Sequence, residues 1–302
     1  MAGADAASVD VDGRVVRLTN LSKILYPGTG FTKAEVISYY AAVADVMVPH
    51  LAGRPLTFKR YPNGVEGDSF FEKNCPGHRP DWMGVLPGPG DVSSCHIDHP
   101  AGLVWAGNQA ALEIHVPMAR ADHPERPTTL AFDLDPGAPA DAVDCADVAL
   151  LVREVLDSVG LVGFPKTSGS KGLQVYVPLN TPVATHEHAS SFALAVGQLL
   201  ERQHPKRVLV DMAKAKRPGK VFVDWSQNNW AKTTIGAYSL RARERPTVST
   251  PLTWGEVEVA AASRDLDSLV FEVSDVIERI AEHGDLYADV PTLEQELPGP
   301  AA

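Results

Sequence analysis

The chain has 302 residues, enough for one or two domains with a sizeable core, and its 44% hydrophobic and 22% charged content is that of an ordinary globular protein. Residues 1–12 are small and acidic rather than a signal peptide, no apolar run reaches membrane-spanning length, and the three cysteines make no disulfide framework, so a reducing cytoplasm is expected. The net charge of −11 excludes no partner because it is unevenly placed: residues 255–302 set twelve acids against Arg264 and Arg279, whereas residues 206–245 set ten bases against three acids.

In chain order, residues 1–12 read as a disordered lead and 14–18 as a strand. Thr32-Lys33-Ala34-Glu35 has the spacing of a capping box, and Val36, Ile37, Tyr40, Val43, Ala44 and Met47 follow at helical period. That predicts a helix over 32–48. Its N-terminus, with Lys23 and Lys33 nearby, suits an anion held by backbone N–H groups, although two surface lysines would look the same. Residues 54–60 read as a strand. Phe70-Phe71-Glu72-Lys73 is a short aromatic strand whose neighbours point to opposite faces, leaving one ring free to stack on a base; burial of both is the plainer expectation.

Cys75-Pro-Gly-His78 and Cys95-His96-x-x-His99 fit either a zinc site of irregular spacing or an ordinary turn. Residues 101–112 look helical and 113–117 extended, which places Glu113 and His115 on one face; a strand histidine there serves as a catalyst or as a hydrogen-bonded core residue.

Residues 128–136 read T-T-L-A-F-D-L-D-P. Leu130, Phe132 and Leu134 alternate with Ala131, Asp133 and Asp135, the period-2 pattern of a half-buried strand stopped by Pro136-Gly137. Asp133 and Asp135 then share a face, roughly 6.6 Å apart along the strand. Two acids with no basic neighbour repel each other unless a cation sits between them, which suits a two-metal phosphoryl-transfer site; the plain alternative is a solvated sheet edge.

A helix over 140–159 and a strand over 162–166 lead to Thr167-Ser168-Gly169-Ser170-Lys171-Gly172, followed by a strand over 173–177. The loop lacks P-loop spacing and enters a strand rather than a helix, yet its N–H groups, hydroxyls and Lys171 can nest an anion, as a plain hairpin turn also could. Residues 186–203 form a helix and 221–225 a strand carrying Asp224, a third candidate metal ligand. A helix over 274–283 and a flexible tail over 291–302 close the chain. No linker divides it.

Read together, Phe-Asp133-Leu-Asp135-Pro-Gly, Thr167-Ser-Gly-Ser-Lys-Gly172 and Val-Phe-Val-Asp224-Trp-Ser-Gln-Asn228 resemble the polymerase domain of bacterial DNA ligase D, of the archaeo-eukaryotic primase superfamily. The resemblance runs in order over residues 14–285 and includes Arg60-Tyr-Pro-Asn-Gly-Val65, Phe70-Phe-Glu-Lys73, Leu112-Glu-Ile-His-Val116 and Tyr238-Ser-Leu-Arg241.

It implies a mixed α/β fold, a primase catalytic core with an RRM-like sheet packed on a second α/β subdomain, forming one catalytic domain over residues 13–290. It also implies template-directed addition of nucleoside or deoxynucleoside triphosphates to primer 3′-OH ends, with ribonucleotides and manganese favoured over magnesium. Asp133, Asp135 and Asp224 match the triad for two such ions. Lys59, His115, Ser168, Ser170, Lys171, Gly172, Gln227 and Arg241 match positions around the nucleotide. Lys23 and Lys33 match lysines for the 5′-phosphate of gapped or broken DNA, and Phe70 and Phe71 a template-stacking pair. Ku and a separate ligase are the expected partners of a free-standing, nucleoid-associated relative without nuclease or ligase modules. A catalytically silent DNA-end-binding module and a metal phosphohydrolase are the rival readings.

Overall fold

The computed structural model of the chain describes residues 5–299. Its first elements are β1 (Ala6–Val11), β2 (Arg14–Thr19), β3 (Ile24–Tyr26), β4 (Phe31–Thr32), α1 (Lys33–Ala42), α2 (Ala44–Leu51), β5 (Thr57–Arg60) and β6 (Phe70–Glu72). There follow β7 (Val85–Pro87), β8 (Ser93–Cys95), α3 (Pro100–Asn108), β9 (Ala111–Pro117), β10 (Thr129–Pro136), α4 (Ala142–Ser158), β11 (Phe164–Thr167) and β12 (Leu173–Pro178). The last are α5 (His186–Gln203), β13 (Val208–Leu209), β14 (Val221–Asp224), β15 (Thr233–Ile235), α6 (Trp254–Ser263) and α7 (Val273–His283). Two compact units interleave along the chain. One takes residues up to 117, 233–248 and 272–285; the other takes 118–232, 249–271 and 286 onward.

In the first unit an antiparallel sheet runs in the order β15-β9-β5-β6. The Thr32–Glu35 capping box starts α1 as its spacing predicts. The expected single helix over 32–48 is two, because the backbone at Val43 (φ −97°, ψ 5°) leaves the helical region and re-aims α2 so that Met47 and Leu51 are buried too. Tyr26, Tyr39 and Tyr40 are buried whole, and their hydroxyls donate to the carbonyls of Arg241 (3.0 Å), Tyr238 (2.8 Å) and Leu112 (2.8 Å).

Other expectations for this unit need correction. Of the lead expected over 1–12, residues 1–4 lie outside the described residues and Ala6–Val11 form the strand β1, joined to β2 by a two-residue turn in which Asp12 and Gly13 both take positive φ (52° and 76°), the Asp-Gly hairpin geometry. The helix expected over 101–112 ends at Asn108, because Ala110 turns left-handed and β9 begins at Ala111. Neither Phe70 nor Phe71 is core: β6 is the sheet's edge strand, and the two rings stay 46% and 56% exposed. Cys75 and Cys95 form a disulfide, since Cys75 N–H bonds Ser93 O (2.7 Å) and brings the two Cα atoms to 4.6 Å. That pairing excludes the zinc reading, and His78 and His96 bond Gln109 Oε1 and Gly53 N instead.

The second unit is built on a five-stranded sheet in the order β11-β12-β10-β14-β13, antiparallel except for β13 on β14. Leu130, Phe132 and Leu134 join Leu173, Val175, Val177, Val221 and Val223 in a core shared with Val148, Val152 and Leu156 of α4 and Ala193 and Val196 of α5. A capping box at Asp141 and Asp144 starts α4, and Thr185 caps α5. The α6 helix lies outside the predicted elements, although Thr253 and Glu256 form its capping box. The expected flexible tail is anchored by Gln295, which bonds Leu179 O through its N–H and both backbone groups of Val162 through its amide. Residues 300–302 lie outside the described residues.

Candidate active site

The alternation of β10 puts its leucines into the core and Asp133 and Asp135 on the opposite face. Register then extends that face into a polar row. Asp133 stands directly across from Gln174 on β12 and from Asp224 on β14, and Gln174 in turn faces Lys166 on β11. Cross-strand partners share a face, so three carboxylates from two adjacent strands gather at one place.

Each carboxylate takes what the protein offers. Gln174 Nε2 donates to Asp133 Oδ1 (2.9 Å). Asp224 Oδ1 accepts from Ser226 N (3.0 Å) and Ser226 Oγ (2.5 Å), and its Oδ2 accepts from Gln227 Nε2 (3.0 Å). Arg217 lies 3.9 Å from Asp135 Oδ2, its guanidinium stacked 3.8 Å above the Phe222 ring. This does not neutralise the cluster. Burial, then the charges of Asp135 and Asp224, push the Asp133 carboxyl up to about 7, against the opposing pull of Gln174 and Lys166.

A hard divalent cation fits this donor set, because an all-oxygen site of three acids is the coordination such ions take, and its charge would reverse the upward push on Asp133. Among the described residues, no three His, Cys, Asp or Glu side chains stand close enough to grip an ion as they are. Each acid instead keeps a neutral or basic neighbour: Gln174 for Asp133, Arg217 for Asp135, and Ser226 and Gln227 for Asp224.

The Ser168–Gly172 loop joins β11 to β12 in the same unit. Ser168 Oγ accepts the N–H groups of Ser170 (3.2 Å) and Gly172 (3.1 Å), and Ser168 N donates to Gly172 O (2.8 Å). Those two N–H groups are therefore spent inside the loop, which narrows the expected nest, while Lys171 stands exposed. Gly172 is required by close approach: a Cβ there would lie 2.1 Å from Leu134 O, the carbonyl between the two β10 acids. Gly137 is held in the same way by Arg217 O, also 2.1 Å from a would-be Cβ, so the 217–220 segment seats on the end of β10.

The remaining expected residues belong to the first unit. Lys59 on β5 faces Glu113 on β9 and Phe71 on β6 in register, and its Nζ lies 5.4 Å from the Phe71 ring centre. His115 meets that ring edge-on at 5.6 Å, and Phe70 lies under the Arg60 guanidinium at 5.4 Å. His115 Nε2 is 2.9 Å from Glu113 Oε2, and Arg241 Nε is 3.2 Å from Glu113 Oε1.

At the start of α1, the N–H groups of Lys33, Ala34 and Glu35 go to Lys23 O, Leu21 O and Thr32 Oγ1, so the helix end has no backbone donors left in its first turn for an anion. The lysines themselves stand together. Lys33 Nζ donates to Thr19 O (2.6 Å) and Lys23 Nζ to Asn63 Oδ1 (3.0 Å). Burial and the charge of Lys23 bring Lys33 down to about 8.

A family model described as LigD, primase-polymerase domain, matches residues 32–287. The chain belongs to the LigD primase-polymerase family. The multifunctional non-homologous end joining protein LigD of Mycolicibacterium smegmatis is 47% identical over 278 residues, covering 90% of this chain and 36% of that protein. The bifunctional LigD of Bacillus subtilis is 33% identical over 285 residues, covering 94% and 45%. The chain thus spans less than half the length of these curated relatives.

The solved polymerase domain of Mycobacterium tuberculosis ligase D in complex with DNA superposes with a TM-score of 0.84 at 43% identity, covering 93% of this chain and 99% of that one. The mixed α/β fold is therefore that of a LigD polymerase domain, and the chain is a primase-type nucleotidyltransferase.

Sequence reasoning found the acids and missed what surrounds them. Gln174 and the wholly buried Lys166 read as ordinary strand residues; only the register of β11 and β12 on β10 lines them up with Asp133. Lys232, whose Nζ bonds Ser226 Oγ, and Arg217 were legible only as part of a basic run. Glu113 carried one usable signal, its i, i+2 relation to His115. Among the described residues no helix is long and apolar enough to cross a membrane.

Proposed function

We propose that this chain adds nucleotides to primer 3′-OH ends on a DNA template, favouring ribonucleotides and manganese, and fills short gaps during repair or end joining in the cytoplasm, at the nucleoid. The observation that carries the reading is the row of Asp133, Asp135 and Asp224 on one face of the five-stranded sheet, with Asp133 pushed up by burial and by the charges of the other two. Asp133, Asp135 and Asp224 would hold two divalent ions, which when bound would activate the 3′-OH and neutralise charge on the α-phosphate and the leaving pyrophosphate.

The chain's own residues do the rest. Gln174 and Ser226 orient Asp133 and Asp224, and Gln227 caps the latter until a nucleotide competes for it. Lys171, beside Ser168, Ser170 and Gly172, offsets triphosphate charge, and Lys59, His115 and Arg241 are further nucleotide-binding side chains of the same reading. Lys23 and Lys33 hold a 5′-phosphate, whose charge would relieve the repulsion between them, and Phe70 and Phe71 stack on a template base. Ku and a ligase are the partners this activity calls for in end joining.

A labelled primer on a one-nucleotide gap, given ribo- or deoxynucleotides and manganese, tests the reading. Extension by one residue, faster with ribonucleotides, is expected. DNA binding without incorporation, or release of phosphate without extension, would contradict it.

A further inference from the structure

Glu113 is 3% exposed in the middle of β9, where an unpaired carboxylate would be costly. It is surrounded. His115 Nε2 lies 2.9 Å from Oε2; Arg241 Nε and the Ala242 N–H, each at 3.2 Å, meet Oε1. In sheet register it faces Lys59. Burial would raise its carboxyl, but His115, Arg241 and Ala242 reverse the shift and hold it at about 2, so it is charged at every working pH. Lys59, His115 and Arg241, all the side chains of this unit proposed to meet the nucleotide, therefore neighbour one buried anion that is itself enclosed.

Two physical consequences follow. An imidazole that gives its Nε2–H to a carboxylate has its tautomer and ring plane set, leaving Nδ1 as its other polar atom. The same carboxylate holds the Arg241 guanidinium by charge, its Nε 3.2 Å from Oε1. Take the carboxylate away and the Lys59 and Arg241 charges and the His115 imidazole lose the one anion they all neighbour.

We infer that Glu113 is a positioning residue for nucleotide addition, acting through His115 and Arg241 without touching the nucleotide. The inference rests on the reading of those two side chains as nucleotide-facing.

The test is a double-mutant cycle in the gap-extension assay with manganese. Glu113→Gln, which keeps shape and removes charge, is expected to raise the nucleotide KM about tenfold with kcat within about twofold. In a His115→Ala/Arg241→Ala background the same change is expected to cost less than about twofold, because its targets are gone. Glu113→Asp, charged but one methylene short, is expected to fall between wild type and Glu113→Gln. An unchanged KM in both Glu113 variants, or a loss of equal size in the double-variant background, overturns the inference. Failure of the underlying reading looks different: wild type then adds no nucleotide, or His115→Ala and Arg241→Ala leave KM unchanged.

Discussion

Glu113 and Asp133 are both strand carboxylates flanked by chemistry-bearing side chains; burial raises both, and their neighbours then shift them in opposite directions. Glu113 is enclosed by Arg241, His115 and a backbone N–H, and these partners hold its carboxyl down at about 2. Asp133 has Gln174 on one side and two more acids on the other, and burial with that company pushes it up to about 7. The first is a finished electrostatic unit whose work is done inside the protein. The second is balanced only when something outside the protein brings positive charge. The difference separates an acid proposed to organise its neighbours from acids proposed to hold a catalytic cation.

The comparison breaks most visibly in activity. Asp133→Ala or Asp224→Ala is expected to lower single-nucleotide addition by at least about a thousandfold while leaving gapped-DNA affinity within a few-fold. Extension at the normal rate with manganese by either variant would remove the triad from the mechanism. Gly172→Ala comes next. Its new methyl group would collide with the Leu134 carbonyl, so the loop must shift, at a cost of about 1–3 kcal/mol in chemical unfolding and with weakened nucleotide use.

Stability separates the two acids more finely. Asp133 keeps a proton up to about 7 that the unfolded chain sheds near 3.8, so without divalent ions its contribution falls as pH rises between those values. Glu113 runs the other way: its contribution is complete above 4.5 and is lost as pH falls from there towards 2. Asp133→Asn is accordingly expected to raise metal-free stability at pH 8 by roughly 1–2 kcal/mol, at the expense of activity.

The smallest effect expected is at the lysine pair. Lys23→Ala with Lys33→Ala should abolish the preference for a 5′-phosphorylated gap, and the wild-type preference should fade as pH rises past about 8 and Lys33 loses its proton. Retained discrimination by the double variant in a binding titration would assign the phosphate elsewhere.

What the sequence made legible follows from range. The alternation of residues 130–135 is a local signal, and β10 formed where it predicts. Metal-ligand geometry was half legible, since Asp133 and Asp135 sit two residues apart, but the placing of Asp224 opposite Asp133 is a matter of strand pairing across about ninety residues, which family likeness supplied. Phe70 and Phe71 look like core because they are aromatic; only their place on an edge strand leaves them exposed. Ala110 takes the left-handed turn that ends its helix with an alanine, a residue that does not announce one. The Cys75–Cys95 pairing depends on the Asn74-Cys75 segment bonding Ser93 of β8 across eighteen residues, and Asp12-Gly13 gave a turn signal hidden in a small, acidic lead.

The central claim is that the unbalanced acids of the five-stranded sheet hold the catalytic cation and the balanced acid of the four-stranded sheet does not. Calorimetric titration of the metal-free protein with manganese tests it directly. Wild type and Glu113→Gln are expected to bind with similar affinity, releasing more protons at pH 6 than at pH 8, and Asp133→Asn to bind at least tenfold more weakly. Equal manganese binding by Asp133→Asn and wild type would contradict it.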